Sequence, residues 1–164
     1  MIKQSILLTG LVFSAPSFSQ CKFIENLSPY QQEVARESYL TGKPYNLGIT
    51  SVAVAWQESR LGIFKLRLSK REYDRSVGIG HTSIHYNTSG MNAMQRGIWV
   101  QEMLTNDHKS IKTMVNDLIY WRDRTKSWRS MLSHYNNGWK GNSVYAKSVA
   151  KTVNSISKCN FLGY

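Results

Sequence analysis

The sequence contains few of the residues that interrupt or cross-link a fold. Only three of its 164 residues are proline and two are cysteine, and we find no internal repeat or low-complexity tract. Hydrophobic residues make up 41% of the chain and aromatic residues 12%, which is typical of a folded globular protein. The composition therefore excludes a largely disordered chain, and the length is that of one compact domain.

Acidic residues are also scarce. Ten Asp and Glu stand against 21 Lys and Arg, so the net charge is +11 at pH 7. A charge of this sign favours anionic partners, namely nucleic acid, anionic lipid or the acidic polymers of a bacterial wall. The densest basic stretch is either a solvated loop or a docking surface, and it contains Lys65, Arg67, Lys70, Arg71 and Arg75.

The N-terminal apolar run, residues 6–13, is too short to span a bilayer of about 30 Å. Lys3 precedes this run, Pro16 breaks it, and Ser17 and Ser19 place small residues where a signal peptidase cleaves. The arrangement predicts a signal peptide over residues 1–19 and a mature domain over residues 20–164. We therefore expect an exported protein, periplasmic or secreted, with no stable membrane span after processing and no nucleic acid partner.

The two cysteines, Cys21 and Cys159, lie near opposite ends of the mature chain. In an exported protein such a pair is more often bridged than free, so we expect a disulfide. The bridge would join the N-terminal segment to the end of the last helix, and no cysteine would remain for nucleophilic catalysis.

Helical periodicity recurs along the mature chain, whereas strand alternation is nearly absent, so we predict a mainly α fold. Ser28 and Gln31 form a capping box that opens a helix ending at Gly42. The next helix, from about Leu47 to Gly62, is apolar on nearly every side, which predicts a central buried helix. Further helices are predicted at residues 94–103, 111–122, 127–135 and 143–157. Residues 63–89 lack a sustained period and are expected to hold at most a small β-hairpin.

Glu58 lies near the C-terminal end of the predicted central helix, in the sequence VAVAWQESRLG. A carboxylate at this position loses solvation, which favours the protonated form that a general acid requires. The alternative is that Glu58 lies on a solvated face of the helix and pairs with Arg60 or a nearby lysine.

Three motifs arranged around Glu58 resemble those of the lytic transglycosylases of the soluble, lysozyme-like superfamily. The first is Glu58-Ser59, at the end of the helix. The second and third are Ser76-Val77-Gly78-Ile79-Gly80, which matches the family's S-x-G-Φ-x segment (Φ, an apolar residue), and Tyr135-Asn136-Asn137-Gly138, close to its A-Y-N-x-G. Tyr145 falls where the family places a tyrosine facing the catalytic glutamate. The resemblance covers about residues 45–155 and implies a lysozyme-like domain with helices around one buried catalytic helix.

The sequence departs from the family at His81, which stands where the family carries a glutamine after the second motif. This departure is typical of a divergent member, such as one from a phage or a secretion system that opens the wall locally. His81 and His85 also have the i, i+4 spacing of a zinc pair. No glutamate follows His81 and no third ligand can be assigned, so we expect neither a metal nor another cofactor.

The resemblance implies that Glu58 alone acts as catalytic acid and base on the MurNAc–GlcNAc β-1,4 bond of peptidoglycan, giving 1,6-anhydro-MurNAc ends. The residues it implies for substrate binding are Ser59, Ser76, Gly78, His81, Tyr135, Asn136 and Tyr145. Ordinary packing is the alternative for the tyrosines, as are a helix end and turn for Asn136-Asn137-Gly138 and loop turns for Gly78 and Gly80.

Three other functions remain open from the sequence. The nearest is hydrolysis on the same scaffold, as in goose-type lysozyme, with Glu72 or Asp74 activating water. The second is a non-catalytic wall-binding protein that keeps the fold. The third, a basic toxin or membrane-active protein, is favoured by charge alone. The Glu-Ser and Tyr-Asn motifs argue against the second and the third.

Overall fold

The computed structural model describes residues 21–71 and 74–162. The predicted signal peptide and Glu72 therefore lie outside the described residues. Within them are eight α-helices and one small sheet, which confirms the predicted mainly α fold. The helices are α1 (Lys22–Glu25), α2 (Pro29–Gly42), α3 (Gly48–Ser59), α4 (Ile84–Asn87), α5 (Ala93–Thr105), α6 (Asp107–Arg122), α7 (Trp128–Asn137) and α8 (Ser143–Ile156).

Helix α2 begins as the sequence predicts. The Ser28 hydroxyl accepts a hydrogen bond from the backbone N–H of Gln31 at 3.3 Å, and the Ser28 N–H donates to the Gln31 side chain at 3.1 Å. Both halves of the predicted capping box are thus present, and they satisfy backbone donors that the first turn would leave without partners.

Helix α3 forms the centre of the core. Val52, Ala53, Val54 and Ala55 are completely buried, and the helix packs against α2, α6 and α8. Because these side chains are small and apolar, helices can approach α3 from several sides. The helix ends where Arg60 and Leu61 adopt left-handed backbone conformations, with φ of 53° and 55°. This abrupt end fixes the position of Glu58 in the last turn.

The segment between α3 and α5 contains a three-stranded antiparallel sheet of two-residue strands, so it is slightly larger than a hairpin. Strand β1 (Leu66–Arg67) pairs with β2 (Ser76–Val77), which pairs with β3 (Thr82–Ser83). In this register Val77 lies opposite Leu66 on one side and Thr82 on the other.

Two glycines let the turn between β2 and β3 lie directly against α6. Gly78 has a φ of +85°, and a Cβ there would lie 2.3 Å from the Ser110 hydroxyl oxygen. A Cβ at Gly80 would lie 2.5 Å from Met114 Cγ and 2.7 Å from the Tyr135 hydroxyl oxygen. The spacing of these glycines therefore reflects close packing in addition to turn formation.

The ends of the described chain are joined by the predicted disulfide between Cys21 and Cys159, whose Cα atoms are 5.2 Å apart. Beside the bridge, Ile24 and Phe161 are buried, and the Phe161 ring stacks on Tyr39 of α2. The bridge thus holds both terminal segments against the core. Across residues 21–71 and 74–162, no helix is both long and apolar enough to cross a membrane.

Opening the disulfide is expected to lower the free energy of unfolding by about 3–5 kcal/mol, because the bridge closes a loop spanning 138 positions. Urea unfolding with and without reductant measures the change. A double Cys21→Ala/Cys159→Ala variant is the control. It should unfold like the reduced protein, and reductant should not change its unfolding midpoint. An unchanged midpoint in protein whose two thiols have been alkylated would contradict this expectation.

Candidate active site

Glu58 occupies the penultimate position of α3, and its side chain is only 8% exposed. It therefore does not lie on a solvated face paired with Arg60. One carboxylate oxygen, Oε2, lies 3.4 Å from Nδ1 of His81, whose side chain is also largely buried. The structure thus brings Glu58, the predicted catalytic residue, next to His81.

The backbone fixes which nitrogen of His81 faces Glu58. His81 has a left-handed φ of 47°, and its N–H donates to the Gly78 carbonyl at 3.2 Å. Its Nε2 lies 2.7 Å from the Phe64 carbonyl oxygen, which can only accept, so Nε2 carries a hydrogen. In the neutral ring Nδ1 is then an unprotonated acceptor directed at Glu58. The geometry therefore places an imidazole nitrogen of His81 beside the Glu58 carboxyl.

Two stacked tyrosines form another side of the site. The rings of Tyr135 on α7 and Tyr145 on α8 have centroids 6.4 Å apart and planes inclined by 22°. Burial raises the pKa of both hydroxyls well above the usual value, and the negative charge of Glu58 raises each further. Both groups consequently stay protonated at neutral pH and remain hydrogen-bond donors.

The two hydroxyls differ in what they donate to. The Tyr135 hydroxyl donates to the Gly80 carbonyl at 2.7 Å, which connects α7 to the turn between β2 and β3. The Tyr145 hydroxyl is buried beside Glu58 and has no hydrogen-bond partner of good geometry among the described residues. Tyr145 can therefore donate to Glu58 or to a bound ligand after a small movement.

Besides Tyr145, three of the predicted substrate-binding residues are buried. The Ser59 hydroxyl donates to the Ala55 carbonyl at 3.2 Å and accepts from the Gly62 N–H at 2.9 Å, so it fixes the end of α3. Ser76 and Gly78 lie inside the protein, in strand β2 and in the turn that follows it. In this structure they support the wall of the site, and their contact with substrate stays a prediction.

Asn136 acts through its neighbours. Its side-chain oxygen accepts a hydrogen bond from Asn142 at 2.7 Å, and Asn142 caps α8 by accepting from the backbone N–H of Tyr145 at 3.1 Å. The third motif is therefore also a helix end, because α7 stops at Asn137 and Gly138 follows with a φ of +55°. In this way Asn136 helps to position the helix that carries Tyr145.

Of the two loop carboxylates considered as bases, Glu72 lies outside the described residues. Asp74 is 45% exposed and forms an ion pair with Arg67 at 3.1 Å. An exposed carboxylate held by a guanidinium at the edge of the sheet has an ordinary structural explanation.

Sequence reasoning missed Asp117, a carboxyl on α6. Burial raises its pKa from 3.8 to about 6, and its charge contributes to the raised pKa of Tyr135, so the two groups are close. The Asp117 side chain forms no ion pair or hydrogen bond with the rest of the described chain. The available signal was its spacing: it follows Met114 by three residues, within the apolar stripe of α6.

An aromatic cluster of Trp121, His134 and Trp139 lies beyond Asp117, towards the C-terminal end of α6. The Trp121 ring stacks on His134 with centroids 5.4 Å apart, and it is nearly perpendicular to the Trp139 ring, whose centroid is 5.0 Å away. Trp139 is 70% exposed, although large apolar side chains are usually buried.

Comparison with known proteins gives no family assignment. No model of a protein family matches the chain, and neither a curated protein nor a solved structure matches it. Within residues 21–71 and 74–162, no three His, Cys, Asp or Glu side chains are grouped so that they could hold a metal ion.

Replacing Asp117 with Asn should stabilise the protein at neutral pH. The pKa of Asp117 is about 6 in the folded state and 3.8 in its ordinary state, so the folded protein holds the proton more tightly. The resulting contribution to stability is fully present below pH 3.8 and is lost as the pH rises through 6. With allowance for partial exposure, we expect Asp117→Asn to raise the free energy of unfolding by about 1–2 kcal/mol at pH 7.5 and by much less at pH 4.

Urea unfolding at the two pH values measures this difference. Asp123→Asn, at the exposed end of the same helix, is the control and should change stability by about 0.5 kcal/mol or less at both. Equal stability of Asp117→Asn and the wild type at pH 7.5 would contradict the assigned burial of the carboxyl.

Proposed function

We propose that the chain is a peptidoglycan lytic transglycosylase that cleaves the MurNAc–GlcNAc β-1,4 bond and leaves 1,6-anhydro-MurNAc ends. The observation that carries the proposal is the setting of Glu58. It is a nearly buried carboxylate at the end of the core helix, 3.4 Å from an imidazole nitrogen and beside two tyrosines that stay protonated. Such a carboxyl can hold and release a proton within the protein.

The first step uses Glu58 as an acid. Its proton passes to the bridging oxygen of the glycosidic bond, the bond between that oxygen and the MurNAc anomeric carbon breaks, and positive charge develops on that carbon. The oxygen of the sugar's N-acetyl group can stabilise this charge. In this proposal Glu58 enters the step in its acid form, with Nδ1 of His81 3.4 Å from the carboxyl.

The second step uses the same group as a base. Glu58, now ionised, removes the proton from the C6 hydroxyl, and the C6 oxygen bonds to the anomeric carbon. The ring closes without water, and Glu58 regains the proton it gave up, so one carboxyl suffices for both steps. This fits a site in which Asp74, the loop carboxylate considered as a second base, is exposed and paired with Arg67.

The neighbouring side chains support these roles. The Tyr145 hydroxyl has no other acceptor of good geometry, so it can donate to Glu58 when Glu58 is ionised. Tyr135 holds the Gly80 carbonyl, which keeps the turn bearing His81 in place. Tyr135 and Asn136 would shape the cleft through aromatic and amide contacts to the glycan.

Charge and cross-linking agree with a wall substrate. The net charge of +11 suits the acidic polymers of a bacterial wall, and the Cys21–Cys159 disulfide suits an oxidising compartment. With the signal peptide expected over residues 1–19, we infer export to the periplasm or beyond, where the protein would open the wall locally for a secretion or phage assembly.

Hydrolysis on the same scaffold is the rival reaction, and it requires a second carboxylate to activate water. The ion pair of Asp74 with Arg67 gives that carboxylate another role. A non-catalytic wall-binding protein would have no need for a buried carboxylate, whose desolvation is costly. The setting of Glu58 therefore favours the transglycosylase over both alternatives.

Replacing Glu58 with Gln should lower the rate of glycan cleavage by at least 10²-fold, because the amide keeps the shape but cannot donate and recover a proton. Clearance of purified cell-wall suspensions measures the rate, and binding of the variant to the same walls shows that its surface is intact.

Asp74→Asn and Glu72→Gln are the matched carboxylate-to-amide controls, and each should keep activity within about tenfold of wild type. Clearance by Glu58→Gln at the wild-type rate would remove Glu58 from the mechanism. A collapse of activity in Asp74→Asn would instead favour the hydrolase.

A further inference from the structure

The Asp117 carboxyl lies next to the candidate site, but the proposed mechanism does not use it. It lies one helical turn beyond Met114, and Met114 packs against Gly80, whose carbonyl accepts the hydrogen bond of Tyr135. The charge of Asp117 also acts on the Tyr135 hydroxyl, as the charge of Glu58 does. Asp117 and Glu58 are therefore both close to Tyr135, one from α6 and the other from α3.

No side chain in the described part of the chain compensates for the partial burial of this carboxyl. Its oxygens meet no hydrogen-bond donor and no cation there, and burial favours its neutral form. A polar group in this condition costs stability unless a partner arrives. A ligand with hydroxyl or amide groups would supply that partner, so the setting of Asp117 is typical of a binding position.

The residues beside Asp117 indicate the class of ligand. Trp121 follows by four residues and lies on the same face of α6, and its ring contacts the highly exposed Trp139 at 5.0 Å. An exposed indole face suits the C–H face of a pyranose ring, and a carboxyl beside it suits hydroxyl and acetamido groups. A small number of polar groups set among aromatic rings is typical of sites that bind small ligands.

We propose that Asp117, Trp121 and Trp139 form a sugar-binding subsite that continues from Glu58 along the wall made by α6 and α7. Its occupant is an N-acetylated sugar of the same glycan strand, so the proposal rests on the proposed function for its substrate. Asp117 hydrogen-bonds a hydroxyl or the acetamido N–H, and the indole rings stack on the apolar face. Asp117 therefore acts on the affinity for glycan, and the bond-breaking steps belong to Glu58.

Direct binding tests the subsite without requiring cleavage. The probe is the β-1,4-linked tetrasaccharide of N-acetylglucosamine, titrated into the full mature protein carrying Glu58→Gln and followed through the indole N–H signals in NMR spectra. We expect the Trp121 and Trp139 signals to shift. Asp117→Asn and Trp139→Ala should each raise the dissociation constant for the tetrasaccharide at least fivefold.

Two controls match these variants. Asp123→Asn changes an exposed carboxylate on the end of α6, and Tyr45→Ala removes an exposed aromatic ring at the opposite end of α3 from Glu58. Both should bind the tetrasaccharide as the parent does. Asp117→Asn is expected to fold well, since it removes a partly buried carboxyl that has no partner in the described chain.

Kinetics on cell walls separate the subsite from a catalytic role. Asp117→Asn should raise KM at least fivefold and leave kcat within about threefold. Unchanged tetrasaccharide affinity in both subsite variants would overturn the subsite while leaving Glu58 catalysis intact. A loss of kcat without a change in KM would overturn it too, since Asp117 would then act on the reacting atoms. Tetrasaccharide binding at the tryptophans by a protein that cleaves no wall would support the subsite and refute the transglycosylase.

Discussion

The complete burial of helix α3 is the constraint on which the rest of the structure depends. Val52, Ala53, Val54 and Ala55 have no exposed surface, and α2, α6 and α8 pack around them. A helix held from several sides is rigid, so the residue at its end has a fixed position. Glu58 occupies that end, and the helix therefore both builds the core and presents the carboxyl to the site.

The second requirement is the close approach of the turn between β2 and β3 to α6. The packing leaves no room for a side chain at Gly78 or Gly80. The Ser110 hydroxyl also accepts a hydrogen bond from the backbone N–H of Ile79 at 2.7 Å. This contact places His81 opposite Glu58. The same packing brings Met114, and with it Asp117, close to Tyr135. One packed turn thus positions groups that lie far apart in the sequence.

Helices and their ends could be predicted because their signals are local. The capping box of Ser28 and Gln31, the apolar run of α3 and the stripe of α6 each occupy a few consecutive residues, and the structure contains all three. The disulfide was predictable from Cys21 and Cys159 because the chain offers no other cysteine.

The environment of each site residue could not be predicted in this way, because it depends on contacts between distant segments. The tautomer of His81 is set by the carbonyl of Phe64, and the solvation of Asp117 by the packing of α6 and α7. Ser59 illustrates the same limit. The motif suggested contact with substrate, whereas both hydrogen bonds of the hydroxyl are made within the end of α3.

The central claim is that one carboxyl, Glu58, acts first as acid and then as base, so that water takes no part in the reaction. Mass spectrometry of purified peptidoglycan digested with the mature protein tests this most directly. The account predicts muropeptides ending in 1,6-anhydro-MurNAc, each lighter by one molecule of water than its hydrated equivalent. Products that carry reducing ends, or a digest indistinguishable from untreated wall, would contradict it.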